Sequence, residues 1–467
     1  MKPVPNLPLL WVAFLIGVPA ATLLVYDQGG WRLLAAMVLF FILVIALGDI
    51  GLSRSKLADI VCRAPELVRG TTGRKMEIPL GFANLGSDVR GLRYGIPVSR
   101  CFRIESDVEG YINNLPNGKK VSVRVLQTPL KRGRYSFDRI FIEGRSRFGL
   151  WLIRRPIALD VELRIYPDLS IERKRLASIF LMRGHDGSHL VRQVGKGRDF
   201  EQLREYQPGD DYVDIDWKAT ARRQMPVTRT YQIEKTQEVY VVVDHSRLSG
   251  REIRVPVSDE VGADWTYSEA SSGGSEMITT QLEKFLHCSL ILASVAERQG
   301  DCFGLVSFSD KVDQFIKAKS GKGHYNVVRD ALYTLEPKLV APDFEPLMVT
   351  LRQKLTRRAL IVMLVDLSDP LTSENFFEAL PLINRQHLVL VNMVKPESAR
   401  ELFSRHSVPE SAAEIYDELA GHLQWQELQE VGNQLKHLGV ELGTPEHEEL
   451  CTEVVTQYLN VKNRQLI

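Results

Sequence analysis

Two stretches of this chain carry side chains whose types and spacing could do chemistry. In the first, Asp210, Asp211, Asp214 and Asp216 crowd one short span, bracketed by Arg198, Arg204, Lys218, Arg222 and Arg223. Clustered carboxylates can hold a divalent cation or serve as general acid and base. They can equally pair with the arginines, whose planar fork matches a carboxylate, and the bracketing cations favour that structural use. In the second, Asp244-His245-Ser246 and Asp366-Leu367-Ser368-Asp369 each close an apolar run. No G-x-G-x-x-G or Walker loop is present, so a nucleotide lacks its usual phosphate cradle. His406, His422, His437 and His447 stand at no metal-ligating spacing. Cys62, Cys101, Cys288, Cys302 and Cys451 are dispersed, as buried thiols of a reducing compartment would be.

The elements that must position the second set are legible. Residues 238–244, 301–309, 359–366 and 387–394 are near-continuous apolar runs, as strands buried on both faces should be. The spacing predicts helices over 281–298, 326–335, 345–355 and 373–384, and a short edge strand over 312–317. Strands alternating with helices imply an α/β, doubly wound domain over 237–467. Ligands of such sheets bind at the carboxyl ends of the strands, where both Asp motifs fall. The tail predicts helices over 412–419, 424–438 and 446–459, with a last strand near 439–442. Residues 249–280 form a polar insertion containing Asp259, Glu260, Asp264, Glu269 and Glu276. A connection that long is expected to work as a lid or a partner-docking loop.

Upstream the pattern changes. Residues 65–168 alternate with a period of two, in runs separated by Gly, Asn, Pro and Asp, which predicts an antiparallel β-sandwich. Residues 169–236 are left as the acidic box and a linker. At the start, residues 7–26 are 20 residues without a charge, and 33–48 is a second apolar run. A helix of twenty residues reaches ~30 Å, one hydrocarbon core. Pro19 should kink the first span. Lys2 precedes the first span, and Arg54, Lys56 and Arg63 follow the second. Positive-inside bias then predicts a transmembrane hairpin over 7–52 in the inner (cytoplasmic) membrane, with the soluble domains in the cytoplasm. The 467 residues carry 59 Lys+Arg against 58 Asp+Glu, a balance that gives no bulk electrostatic ground for binding nucleic acid.

The residues also carry a resemblance. Arg132-Gly-Arg-Tyr135, Phe148-Gly-Leu150 and Tyr166-Pro167 are similar to the first region of the domain-of-unknown-function-58 family. Its signature box resembles Gly197–Asp211 and Ile215–Arg222, including Arg204, Glu205, Tyr206, Pro208, Gly209, Asp210, Asp211, Asp216, Trp217, Lys218 and Arg222. Tyr212-Val213-Asp214 departs from the Pro-Arg-Arg type of sequence usual there. The resemblance implies a von Willebrand factor A-like domain after the box and a MoxR-type AAA+ ATPase as partner. It also implies a Mg²⁺ site of the Asp-x-Ser-x-Ser kind. Asp244, Ser246, Asp343 and Asp366 are the residues that match, whereas Leu248 replaces the second serine and cannot ligate.

The expected fold is therefore two N-terminal transmembrane helices, then an antiparallel β-sandwich, then an α/β doubly wound (von Willebrand factor A-like, Rossmann-type) domain. The expected function is a membrane-anchored adaptor that binds protein partners and is not an enzyme. The alternative is a metal-dependent hydrolase using the carboxylates at 210–216. One version, an Asp214-x-Asp216 nucleophile pair, needs the end of a buried strand, and Pro208-Gly209-Asp210-Asp211 reads as a turn.

Overall fold

The computed structural model describes residues 2–26, 31–53, 57–97, 101–104, 109–182, 194–208, 210–232, 237–256, 276–402 and 411–464. Of these, the residues up to Asp168 form one compact unit and those from Leu169 onward another.

The first unit begins with strand β1 (Lys2–Pro5) and two apolar helices. Leu7–Val25 and Trp31–Ser53 are long and apolar enough to cross a membrane, and protein covers only 6% and 17% of their most apolar stretches. They are thus not packed as core helices and are two candidate membrane spans by length and composition. The expected distortion at Pro19 appears as a π-helical turn over Ala13–Gly17. Proline lacks an amide hydrogen and its ring crowds the carbonyl four residues back, so a widened turn relieves the clash.

Nine more strands follow: β2 (Ile60–Arg63), β3 (Leu67–Thr71), β4 (Met76–Asn84), β5 (Val89–Gly95), β6 (Phe102–Ile104), β7 (Glu109–Leu115), β8 (Lys120–Pro129), β9 (Gly133–Arg145) and β10 (Trp151–Tyr166). They form two sheets, β1-β10-β9-β5-β7 with β3 beside β10, and β2-β4-β8-β6. Alternate residues of both face one core, including Ile78, Leu80 and Phe82 from β4 and Ile140, Ile142, Leu163 and Ile165 from β9 and β10. The expected sandwich is present, but it starts before residue 65. One pair also departs from the antiparallel expectation, because β3 runs parallel to β10. Its register places Leu67–Thr71 along the last residues of a 16-residue strand.

The second span is tied to this sandwich through Asp49, which is fully buried. Its carboxylate accepts hydrogen bonds from Ser146 Oγ at 2.6 Å and from the Phe148 amide at 3.1 Å. Ser53 Oγ accepts from the Arg147 amide at 2.8 Å, and Trp151 Nε1 donates to the Ala46 carbonyl at 2.9 Å. Before the first span, β1 pairs antiparallel with the start of β10. The two ends of the hairpin therefore meet the same sheet.

The second unit opens on helix Ser170–Met182, where the sequence showed only a linker. Its Leu176 joins the core, the Glu172 carboxylate meets His287 Nδ1 at 2.8 Å, and Arg175 Nη2 reaches Glu448 at 2.6 Å. Strands β11 (Val194–Glu205) and β12 (Val227–Gln232) pair antiparallel around the acidic box. The main sheet contains β13 (Glu238–Asp244), with β14 (Glu252–Pro256) and β15 (Glu276–Thr280) forming a separate hairpin after it. It continues with β16 (Cys302–Phe308), β17 (Val312–Lys319), β18 (Leu360–Leu364), β19 (Leu388–Asn392) and β20 (Glu441–Gly443). The order is β17-β16-β13-β18-β19-β20, parallel except for the edge strand β17.

Helices cover both faces of this sheet. Val239, Val241 and Val243 pack under helices Gln281–Arg298 and Leu450–Asn463. Tyr240 and Val242 pack with helices Phe344–Lys354, Pro370–Ala379 and Ala412–His437. The last of these is one helix where the sequence suggested two. Buried Asp301 accepts from the Tyr458 hydroxyl and from Lys462 Nζ at 2.7 Å, which locks the C-terminal helix onto the start of β16.

Replacing Asp49 by Ala leaves the Ser146 hydroxyl and the Phe148 amide without their acceptor, at a cost of about 1–3 kcal/mol. The expected result is a lower Tm in detergent and faster tryptic cleavage after Arg145 and Arg147. Unchanged cleavage would show that Asp49 does not hold this junction.

Candidate functional site

The carboxyl ends of β13 and β18 lie side by side, since Val243 is in register with Leu364. Asp244 closes β13 and Asp366 follows β18 by two residues; both are buried, as is Ser246. The loops around them are stitched by backbone hydrogen bonds, His245 N to Phe308 O, Arg247 N to Val340 O and Lys338 N to His245 O. Asp244 Oδ1 accepts from the Ser246 amide at 2.8 Å, and Asp366 Oδ1 accepts from the Ser368 amide at 2.9 Å. Asp244 Oδ2 and Ser246 Oγ are buried without a hydrogen-bond partner among the described residues. Burial pushes the Asp244 carboxyl up to about 7; the Ser246 amide and nearby hydroxyl pull it down, and the charge of Asp366 raises it again. A buried carboxylate without a countercharge behaves this way.

The positive charge in the site comes from arginine. Arg251 Nη1 lies 3.6 Å from Asp366 Oδ2 and 3.2 Å from Ser368 Oγ. Asp343, the fourth residue expected to ligate, caps helix Phe344–Lys354 through a 3.1 Å bond from the Glu345 amide. Asp369 caps helix Pro370–Ala379, accepting from Thr372 Oγ1 at 2.6 Å. Of the four expected ligands the structure brings Asp244, Ser246 and Asp366 together. Only Asp244 Oδ2 and Ser246 Oγ are left without a partner, Asp366 being engaged by the Ser368 amide and Arg251, and among the described residues no group of three or more His, Cys, Asp or Glu side chains is placed to hold a metal ion.

A second cluster, without a signal in the sequence, lies beside this point. Buried His245 places Nε2 2.8 Å from Asp313 Oδ2, outside good hydrogen-bond alignment, and Lys338 Nζ lies 2.6 Å from Asp313 Oδ1. Burial lowers the His245 pKa, against the pull of Asp313. Asp313 stands on β17, far from His245 in the chain, so no local spacing reveals the pair.

The acidic box spends two of its four carboxylates, Asp210 and Asp216, internally. Asp210 Oδ1 takes Arg204 Nη2 at 2.6 Å, and its Oδ2 takes the Gln207 amide at 3.0 Å. The Gln207 amide, with Arg204, holds its pKa below the usual carboxylate range. Asp216 caps helix Trp217–Arg223 through the Lys218 and Ala219 amides and takes Arg229 Nε at 3.0 Å. Those amides and Arg229 lower its pKa too. Asp211 and Asp214 flank the single turn Tyr212–Asp214, where the Asp214 amide bonds the Asp211 carbonyl. Glu205, Lys218 and Arg222 are exposed, Tyr206 stacks on Tyr212 at 6.0 Å, Pro208 is exposed, and Trp217 shows 69% of its surface. Gly209 lies outside the described residues. The 249–280 insertion begins and ends as the β14–β15 hairpin; the expected lid or docking role falls on 257–275, outside the described residues.

Asp244 binds its proton more tightly folded than unfolded, because its folded pKa is raised. That contribution to stability is full below about pH 4, the unfolded value for Asp, and is lost as pH rises to about 7. Asp244→Asn keeps an acceptor for the Ser246 amide and removes this loss. The Tm difference between the variant and the parent should therefore grow in the variant's favour from pH 4 to pH 8. A constant difference would show that Asp244 ionises freely.

Residues 202–251 and 264–402 match the family described as Protein of unknown function DUF58. None of the curated proteins matches this sequence. Among solved structures, the chain is similar to a conserved hypothetical protein BatB from Bacteroides thetaiotaomicron, 11% identical, with a TM-score of 0.28, covering 49% of this chain and 99% of that one. It is also similar to an aerotolerance-related membrane protein from Bacteroides fragilis, 13% identical, TM-score 0.27, over 48% of this chain and 98% of that one. The match to a family of unknown function thus covers the C-terminal part of β11, the box and the sheet as far as β19.

Proposed function

We propose that this chain is a membrane-anchored, non-enzymatic adaptor. Its α/β domain, of the von Willebrand factor A-like kind, docks protein partners at the carboxyl ends of its strands. A MoxR-type AAA+ ATPase is the partner that the family resemblance suggests, in assembly or maturation of other proteins. The observation that supports this reading most is the pair of buried, unpartnered acceptors, Asp244 Oδ2 and Ser246 Oγ. Unmade hydrogen bonds at buried polar atoms cost about 1–3 kcal/mol each, and such atoms persist where they serve binding. Asp244, Ser246 and Asp366 are the residues that would hold Mg²⁺, and the ion would supply the countercharge that Asp244 lacks. Arg251 would then have to release Asp366.

The positive charges flanking the hairpin support a cytoplasmic position for the β-sandwich and the α/β domain, next to a cytoplasmic ATPase. The hydrolase alternative needs carboxylates free to work. Asp210 and Asp216 each bond an arginine and backbone amides, which disfavours it.

The test is affinity capture of the full chain from solubilised membranes, with and without Asp244→Ala. The expected result is recovery of the ATPase with the parent and at least a roughly tenfold loss with the variant, equivalent to ~1.4 kcal/mol. A folded variant that recovers the ATPase equally would contradict the reading.

A further inference from the structure

Next to Asp244 and Asp366 a cleft of roughly 420 Å³ opens, lined by Arg247, Leu248, Arg251, Ser368, Asp369, Pro370 and Gln424. Its one lining carboxylate, Asp369, is committed to Thr372, and buried Asp366 behind Ser368 takes the Ser368 amide. Its donors are not. Among the described residues no hydrogen bond or ion pair engages the Arg247 guanidinium, although the Arg247 amide is fixed to Val340 O. Arg251 has its backbone carbonyl pinned by the Gln281 amide at 3.0 Å; its Nη1 donates to Ser368 Oγ at 3.2 Å and lies 3.6 Å from Asp366, and among the described residues no hydrogen bond or ion pair engages its Nε or Nη2. Gln424 Oε1 takes the Ser398 hydroxyl at 2.5 Å, which leaves its amide NH₂ as a donor. Arg247 and Arg251 are exposed, and Leu248 and Pro370 give the walls apolar surface.

We propose that this cleft binds an Asp or Glu side chain of a protein partner, held by Arg247 and Arg251 with Gln424 as a third donor. The inference rests on the partner-docking reading above and names the chemistry of the partner at that site. Two guanidiniums and an amide match the lone pairs of one carboxylate, and a planar fork recognises it better than an ammonium does. An exposed rim suits an approaching protein surface, and the acid draws Arg251 outward. Arg251 thus couples partner capture to the release of Asp366.

The probe is a synthetic array of acidic nonapeptides, with matching Asn/Gln peptides, applied to the full chain in nanodiscs with and without EDTA. The expected result is that a subset of acidic peptides binds, and that their Asn/Gln counterparts bind at least ~10-fold more weakly. Arg247→Gln and Arg251→Gln each lower binding by a similar factor, Arg247→Lys restores part of it, and EDTA changes nothing. Arg247→Gln removes no contact among the described residues, so an unchanged Tm shows that its loss is not misfolding. Acidic binding indifferent to both arginine variants overturns the proposal, as does an array in which no acidic peptide binds. Binding that EDTA abolishes and Arg247→Gln spares transfers the acid to a metal. Free L-glutamate binding as tightly as the peptides overturns the protein partner. Acid binding that survives while ATPase capture fails overturns the named partner alone.

Discussion

A parallel strand buried on both faces must end in the sheet's interior, and here the central one ends in a carboxylate. Asp244 closes β13, between β16 and β18 in register. Its position follows from the valines before it. Val239, Val241 and Val243 feed one hydrophobic core and Tyr240 and Val242 the other, so the strand cannot slide without exposing apolar surface on both sides. The carboxylate is carried into a buried place by the packing, and its own solvation opposes that placement. Every feature of the site answers this conflict: the Ser246 amide on one oxygen, the raised pKa, and a guanidinium 3.6 Å from neighbouring Asp366.

The acidic box resolves the same problem in the opposite way. Its carboxylates sit near the surface, where caps and arginines satisfy them at little desolvation cost. Asp216 alone takes two backbone amides and Arg229. The unusual residues of the box thus build a turn and a short helix that display Tyr212 and Trp217, which are 75% and 69% exposed. Where charge is spent on architecture the surface is left to aromatics; where it is left uncompensated, at the strand ends, the site can still bind.

Much of this was legible in the sequence, for physical reasons that differ between elements. The strands of the main sheet were clear because burial on both faces demands unbroken apolar runs. Asp244, Ser246 and Asp366 were placed together because a parallel sheet brings its carboxyl ends to one edge. Strand β11 has no signal in the sequence because Gly195-Lys196-Gly197-Arg198-Asp199-Phe200-Glu201-Gln202 carries no alternation of apolar and polar residues. Helix Ser170–Met182 escaped because it buries Leu176 but binds its neighbours mainly through Glu172 and Arg175. Asp343 was misjudged as a ligand because a capping aspartate and a ligating one look alike in sequence. Arg251 could not be found at all, since nothing in spacing joins it to Asp366 across more than a hundred residues.

Docking of a protein partner in the strand-end cleft, as proposed above, would place that partner within reach of the cleft wall. The most direct test places a photocrosslinking side chain at Gln424, in the cleft wall, and another at exposed Val327 on helix Lys322–Leu332. Both variants are reconstituted as full chains in nanodiscs with a purified MoxR-type ATPase, the partner proposed above. The account predicts a crosslink from Gln424 that competing acidic peptide removes, and none from Val327. Equal crosslinking from both positions, or crosslinking from Val327 alone, would contradict it.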